Sequence, residues 1–343
     1  MPVPGAETNV PLVSILIPCY NAALYLAAAL DSALAQTWPN KEIIVVNDGS
    51  TDRSGEILDS YHGNGIKVIH QENKGQCAAA NRAFQECSGD YIKFFDADDL
   101  LAPRTVELQM ERVVGSTTAV ASCEWGRFYG DNFSTFKLDP QLVWKDMDPI
   151  EWLVESWLEG RGGMMQCAMW LVPRALLEKC GLWNEDLCLI NDFEFFVRVL
   201  CHASEVRFAL GARLYYRSGI GGSLSGQKSA KAAQSAFHSL TLGTQHLLAR
   251  RGDARARLAC ATVLQNFVFD YYPEHAELCR LMAARVSELG GSDRSPDGTP
   301  GFHQLRRVVG WKLARRIEKF AVRHGFNRAA IKRASGLWLR KLA

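Results

Sequence analysis

The chain has 343 residues, 48% of them hydrophobic, and a formal net charge of +2. That length supports one large α/β domain and a smaller appendage, and the near-neutral total argues against a nucleic-acid binder. The charge is unevenly placed: residues 302–343 hold 12 Lys/Arg against one acid, a local balance of +11 that leaves −9 for everything before them.

The predicted elements begin with "LVSILI" (12–17), a short apolar, β-branched run stopped by Pro18, which reads as a strand. Residues 22–35 are Ala/Leu-rich and read as a helix by propensity. A strand over 42–46 runs into "NDGSTD", where Ser50 or Thr51 is placed to cap a helix over 52–61. A third strand follows at 66–71 and a third helix at 75–87. The fourth strand is "DYIKFFDADD", and Pro103 suits the first turn of a helix over 103–114. This alternation predicts βαβ units, hence a mostly parallel sheet with helices on both faces. Ligands of such sheets bind beyond the carboxyl ends of the strands.

Past residue 117 the order is less regular. "TTAVASCEWGRFY" and "QCAMWLVP" read as strands with an aromatic-rich helix at 149–158 between them. Residues 228–289 read as wholly helical and 290–301 as a linker. Over 303–321, Leu305, Val309, Leu313, Ile317 and Phe320 fall near one face with Arg and Lys elsewhere, the pattern of an interfacial helix on anionic lipid. The expected division is therefore a domain over 10–225, a helical extension over 226–289, the linker 290–301 and a basic amphipathic tail over 302–343.

The ten cysteines are scattered, without CxxC pairs or zinc spacing, and predict a reduced chain. The first residues lack a basic start and an apolar stretch, and no run reaches 18 apolar residues, so neither a signal peptide nor a membrane span is expected. His202, His238 and His246 have no ligand-spaced partners and read as structural; Trp152, Trp157 and Trp170 read as core.

The chemistry concentrates at the strand ends. Asp96, Asp98 and Asp99 repel one another unless a cation neutralises them, and a hard divalent ion, Mg²⁺ or Mn²⁺, prefers such oxygens. The competing reading is a solvated turn before the helix at 103–114. Asp48–Gly49 is ordinary turn chemistry, and Gly75 lets backbone approach an anion at a helix start. "PCYN" (18–21) makes a fourth polar loop on the same edge.

Together these loops resemble the nucleotide-sugar-binding half of the inverting glycosyltransferases of family 2, which have the GT-A fold. The match reads "VSILIPCYNAALYLAAALDSALAQTW", "EIIVVNDGSTD", "NKGQCAAANRA" and "GDYIKFFDADDLLAP", in order, over roughly residues 12–113. It continues in "GLWNEDLCLINDFEFFVRV" (181–199) and "YYRSGIGGSLS" (215–225). The resemblance implies a Rossmann-like, mostly parallel sheet flanked by helices with a helical C-terminal extension.

It also implies roles. Asp48 would take the edge of a uracil-type base, with Pro18, Tyr20, Asn21 and Asn73 or Lys74 around it and Gly75 beside them. Asp96, followed by Ala97, would face the ribose, and Asp98 would ligate Mn²⁺ or Mg²⁺ on the diphosphate. Asp192 would be the general base, while Arg217 with Ser223 or Ser225 would reach the diphosphate side. Asn191 departs from the pattern, standing where many members carry Glu, and bears on acceptor contacts.

The expected partners are a nucleoside diphosphate sugar, a glycan or lipid-linked acceptor, and an anionic membrane surface met by residues 302–343; nucleic acid is not among them. The location implied is cytoplasmic, peripheral on the inner face of the cell membrane. Two rivals remain at this point, a non-catalytic sugar-nucleotide or glycan-binding module and a nucleotidyltransferase. The second would want a Gly-rich loop that "PCYNAALYL" lacks.

Overall fold

The computed structural model describes residues 10–159, 164–220 and 229–324. The chain divides into two compact units, Met1–Cys260 and Ala261–Ala343.

In the first unit, β1 (Val13–Cys19), β2 (Lys41–Asp48), β3 (Ile66–Gln71) and β4 (Tyr91–Phe94) run parallel in the spatial order β3-β2-β1-β4. Ile15, Leu16, Ile17 and Ile43–Val46 are buried without alternation, as expected where both sheet faces are covered. The crossovers are α1 (Leu26–Leu34), α2 (Ser54–Tyr61) and α3 (Gln76–Gln85). All four carboxyl ends therefore meet at one edge, and the register places Cys19 opposite Asn47 and Asp48 opposite Gln71.

A second sheet has the order β5-β9-β6-β7, formed by β5 (Leu100–Leu101), β6 (Ala119–Tyr129), β7 (Asn132–Leu138) and β9 (Glu205–Ser218). Leu100, the residue after Asp99, pairs with Tyr215. The acidic loop is thus held between the two sheets. Helices α4 (Thr105–Val113), α5 (Pro149–Leu158), α6 (Arg174–Cys180), α7 (Asn191–His202) and α8 (Ala230–Arg250) complete this unit, with α7 packed along α8. Trp152, Trp157 and Trp170 are buried, and Trp183 stacks on Phe195 with ring centroids 4.0 Å apart. These rings are core.

The structure corrects two expectations here. "QCAMWLVP" is not one strand: Cys167–Met169 is a 3₁₀ turn, Leu171 bridges to Ala121 of β6, and Val172–Pro173 (β8) pairs, antiparallel, with β4. Side chains satisfy the turn's backbone in place of a ladder. Lys93 Nζ donates to the Ala168 carbonyl at 2.6 Å, Gln109 Nε2 to that of Met169 at 2.8 Å, and the Ala168 N–H donates to Gln166 Oε1 at 2.7 Å. Nor do Ser50 and Thr51 cap α2, whose N-cap position is Arg53. The Thr51 and Asp52 N–H groups donate instead to Asn21 Oδ1, tying the first polar loop to the second.

The division between the units falls within α9 (Ala254–Tyr271). The second unit includes α10 (Ala276–Glu288) and α11 (Pro300–Arg323). α11 is broken at Gly310, whose φ of 75° lies outside the helical region and suits glycine. The predicted apolar face is therefore interrupted: Leu305 lies before the break and is half-buried, while Leu313, Ile317 and Phe320 lie after it and are exposed. Among the described residues, no helix is long and apolar enough to cross a membrane.

Candidate active site

The edge where β1, β2 and β4 end gathers most of the predicted site residues. Asp48, at the end of β2, is buried, and its carboxylate accepts three hydrogen bonds at 2.8 Å, from Gln71 Nε2, Lys74 N and Gly75 N. The loop before α3 is wrapped around that carboxylate. Gly49 makes the wrap possible: its φ is +68°, and a Cβ there would sit 2.8 Å from the Asn73 backbone nitrogen. Tyr20, Asn73 and Lys74 present exposed side chains around it, and Pro18 is half-exposed. A cavity of about 380 Å³ opens beside Gln71 and Lys74, running along α3 past Asn81 and Arg82. Asn21 is exposed, but its amide oxygen is committed to the loop at 51–52.

The acidic loop follows β4. Carboxylate oxygens of Asp96, Asp98 and Asp99 all lie within 4.8 Å of one another. Burial raises all three above the usual carboxylate range, and mutual repulsion adds to the effect for Asp98, pushed up to about 7, and for Asp99. Asp96 accepts from Gln76 Nε2 at 2.9 Å and Gln166 Nε2 at 3.0 Å. Asp99 accepts from the same Gln166 amide at 2.8 Å and from the Arg217 N–H at 2.7 Å. Among the described residues, no other side chain hydrogen-bonds the Asp98 carboxylate, which leaves it free for a ligand. The set fits a hard divalent cation: oxygen donors only, crowded enough to raise their own affinity for positive charge. Ala97 is buried between the acids and serves as backbone.

Arg217, next to last in β9, is 5% exposed and is spent locally. Its Nε donates to the Asp98 carbonyl and its Nη1 to the Gly130 carbonyl and Asp131 Oδ1, each at 2.7 Å, while the guanidinium stacks on Tyr25 and Phe128. It holds the acidic loop in place rather than standing open. Ser223 and Ser225 lie outside the described residues.

Asp192 is in the first turn of α7 and half-buried. Burial and then the charge of Asp96 raise its carboxyl well above the usual range, which puts the two acids in electrostatic reach. It does not cap α7, since Ile190 occupies the N-cap position with a left-handed φ of 56°. Among the described residues, no side-chain hydrogen bond is made to the Asp192 carboxylate. Its neighbour Glu194 is different, paired with Arg198 at 2.7 Å and His246 at 3.2 Å. Asn191 turns inward, donating to Gln76 Oε1 at 3.2 Å and Cys77 Sγ at 3.1 Å.

A chain of amides and carboxyls thus links the start of α7 to the acidic loop: Asn191, Gln76, Asp96, Gln166, Asp99. Sequence reasoning missed Gln76 and Gln166, and with them Lys93, fully buried and bonded to the turn that follows Gln166. The available signal was polarity in the wrong place: a Lys inside the apolar run "YIKFF" must find acceptors if it is buried.

Residues 14–180 match the Glycosyl transferase family 2 model. Over these residues the chain is a family 2 glycosyltransferase domain. An uncharacterized glycosyltransferase of Rickettsia typhi is 35% identical over 199 residues, 57% of this chain and 60% of that one. The chain spans about half the length of the curated relatives it matches. Among solved structures, S. aureus TarS in complex with UDP-GlcNAc superposes with a TM-score of 0.64 at 18% identity, covering 81% of each chain. A mannosyltransferase of Pyrobaculum calidifontis, in complex with GDP-Man and Mn²⁺, gives 0.50 at 15% identity over 96% of this chain and 84% of its own. The family 2 domain accordingly has a GT-A-like α/β fold.

Proposed function

We propose that this family 2 protein is an inverting glycosyltransferase. It would move a sugar from a nucleoside diphosphate sugar, a UDP-sugar on our reading, to a hydroxyl of a surface glycan or lipid-linked oligosaccharide. The observation that carries the reading is the pairing of two free carboxylates with different surroundings: Asp98 in the acidic cluster, and Asp192 alone at the start of α7.

Asp192 takes the proton of the acceptor hydroxyl, a role for which an unpaired carboxylate of raised basicity is suited and which contributes about 10²–10⁴ in rate. A single base opposite the leaving group inverts the anomeric centre. Rigidity comes from α7, whose Phe193, Phe196 and Val197 are buried. Asp48 has used three of the roughly four acceptor positions of a carboxylate, leaving one for a nucleobase N–H, with Tyr20, Pro18, Asn73 and Lys74 around it. Asp96, fixed by two glutamine amides, faces the ribose. Asp98 holds Mn²⁺ or Mg²⁺, which when bound supplies Lewis-acid stabilisation of the leaving diphosphate. The Mn²⁺ in the Pyrobaculum structure is in keeping with that choice.

The tail completes the reading. Val308, Leu313, Ile317 and Phe320 are exposed on a helix rich in Arg and Lys, which suits peripheral contact with an anionic membrane on its inner, cytoplasmic face. A panel of nucleotide sugars, scored by thermal shift with and without Mn²⁺, tests the donor reading, because a ligand that binds the native state raises its apparent stability. The expected outcome is a metal-dependent shift with one base and one sugar. No shift with any member would overturn it.

A further inference from the structure

The second unit contains a cavity of about 390 Å³ with no acidic side chain in its lining. Three arginines line it, Arg294, Arg306 and Arg307, together with Phe269 and Trp311. Its volume is that of a small-ligand site. Phe269 and Trp311 meet edge to face, with centroids 5.0 Å apart, and make one apolar wall. Arg306 is steadied at the rim by donating to the Pro296 carbonyl at 3.3 Å.

Three like charges around one cavity repel, and the fold usually answers such repulsion with carboxylates. It does so close by: Arg315 pairs with Glu318, and Lys319 with Glu274. Among the described residues, Arg294, Arg306 and Arg307 have no carboxylate partner. The geometry points to an anion as the missing partner. We infer that this cavity binds the phosphate group of a phosphate ester. Guanidinium forks match phosphate oxygens in pairs, and the Phe269–Trp311 wall would take the organic part of the ester.

The source we favour is the headgroup of an anionic phospholipid. Leu313, Ile317 and Phe320 lie on the same helix after its break, on the face turned away from Trp311, and are 48%, 43% and 62% exposed. Exposed apolar side chains on the helix that supplies part of the phosphate site suit a bilayer surface better than bulk water. Only this choice of lipid over soluble phosphate rests on the membrane reading of the tail. The phosphate site itself does not.

The test uses the full chain in EDTA, so that diphosphate cannot bind through a metal at Asp98. Calorimetric titrations are run at low salt with pyrophosphate, with short-chain phosphatidic acid below its micelle concentration, and with the matching phosphatidylcholine. The variants are Arg306→Gln/Arg307→Gln and, as a charge-matched control outside the cavity, Arg280→Gln/Arg285→Gln; circular dichroism verifies that both fold. We expect phosphatidic acid to bind, phosphatidylcholine not to bind, and the 306/307 pair to weaken binding at least tenfold while the 280/285 pair changes it less than twofold. Binding of pyrophosphate alone, lost in the 306/307 variant, would uphold the phosphate site and reject the lipid source. Equal losses in both variants, or no phosphate ligand bound by the native chain, would overturn the site.

Discussion

The amide of Gln166 donates to Asp99 Oδ2 at 2.8 Å and reaches Asp96 Oδ2 at 3.0 Å from the same nitrogen. One neutral group thereby spaces two carboxylates that would otherwise push apart, and sets the face that Asp98 completes. Gln166→Leu keeps most of the volume and removes the donor. Metal-dependent nucleotide binding should weaken at least tenfold, with the fold retained. Calorimetry with Mn²⁺ and a nucleoside diphosphate checks this, and unchanged affinity would reduce Gln166 to packing.

Removing Asp98 should separate stability from binding. Asp98→Ala takes away one of three crowded like charges, so the metal-free melting temperature should stay level or rise. Metal-dependent donor binding should be lost. If affinity with Mn²⁺ persists, the ligand role belongs to Asp96 or Asp99.

The raised carboxyls also fix the sign of a pH effect. In the unfolded chain these groups have ordinary carboxylate values, whereas in the folded chain Asp98 is pushed up to about 7, with Asp96 and Asp99 raised too. The folded state thus binds more protons between those limits, and the associated stability is lost as pH rises through about 7. The metal-free protein should therefore melt at lower temperature at about pH 8 than at about pH 5, with Mn²⁺ restoring stability mainly at the higher pH. Melting curves at both values, with EDTA or Mn²⁺, decide it; equal metal effects would mean that the acids are not the metal's site.

Lys93 supports the 3₁₀ turn that follows Gln166. Its ammonium, pulled down to about 8 by burial, donates to Gln109 Oε1 at 2.8 Å and to the Ala168 carbonyl. Lys93→Ala opens a cavity and strands two buried acceptors, at a cost of about 2–5 kcal/mol. Lys93→Met keeps the stem and should cost less. Chemical denaturation of the two variants measures the difference.

The parallel sheet and its loops were legible because their signals are local. β1 and β2 are buried, largely apolar runs ended by polar turns, and Asp48 and Asp96–Asp99 stand at or just past the ends of such runs. The supports of the site were not legible, because their partners are distant in sequence. Gln166 meets Asp96 70 residues away, Asn191 meets Gln76 115 away, and Arg217 meets Asp98 119 away. The 3₁₀ turn at Cys167–Met169 was read as strand because its apolar residues are indeed buried; what bends it is the set of side-chain donors and acceptors from Lys93, Gln109 and Gln166. The break at Gly310 shows the same limit, since a single glycine within a helical pattern is usually tolerated.

The central claim is that Asp98 and Asp192 do different work at one site, and kinetics measured beside binding tests it most directly. For Asp192→Asn, donor affinity with Mn²⁺ should stay within about twofold of the native value while turnover falls at least about a hundredfold, since the lost function is proton removal in the transition state. The acid limb of the native pH–rate profile should vanish with it. Near-native turnover in Asp192→Asn, or a loss of donor binding equal to that of Asp98→Ala, would contradict the account.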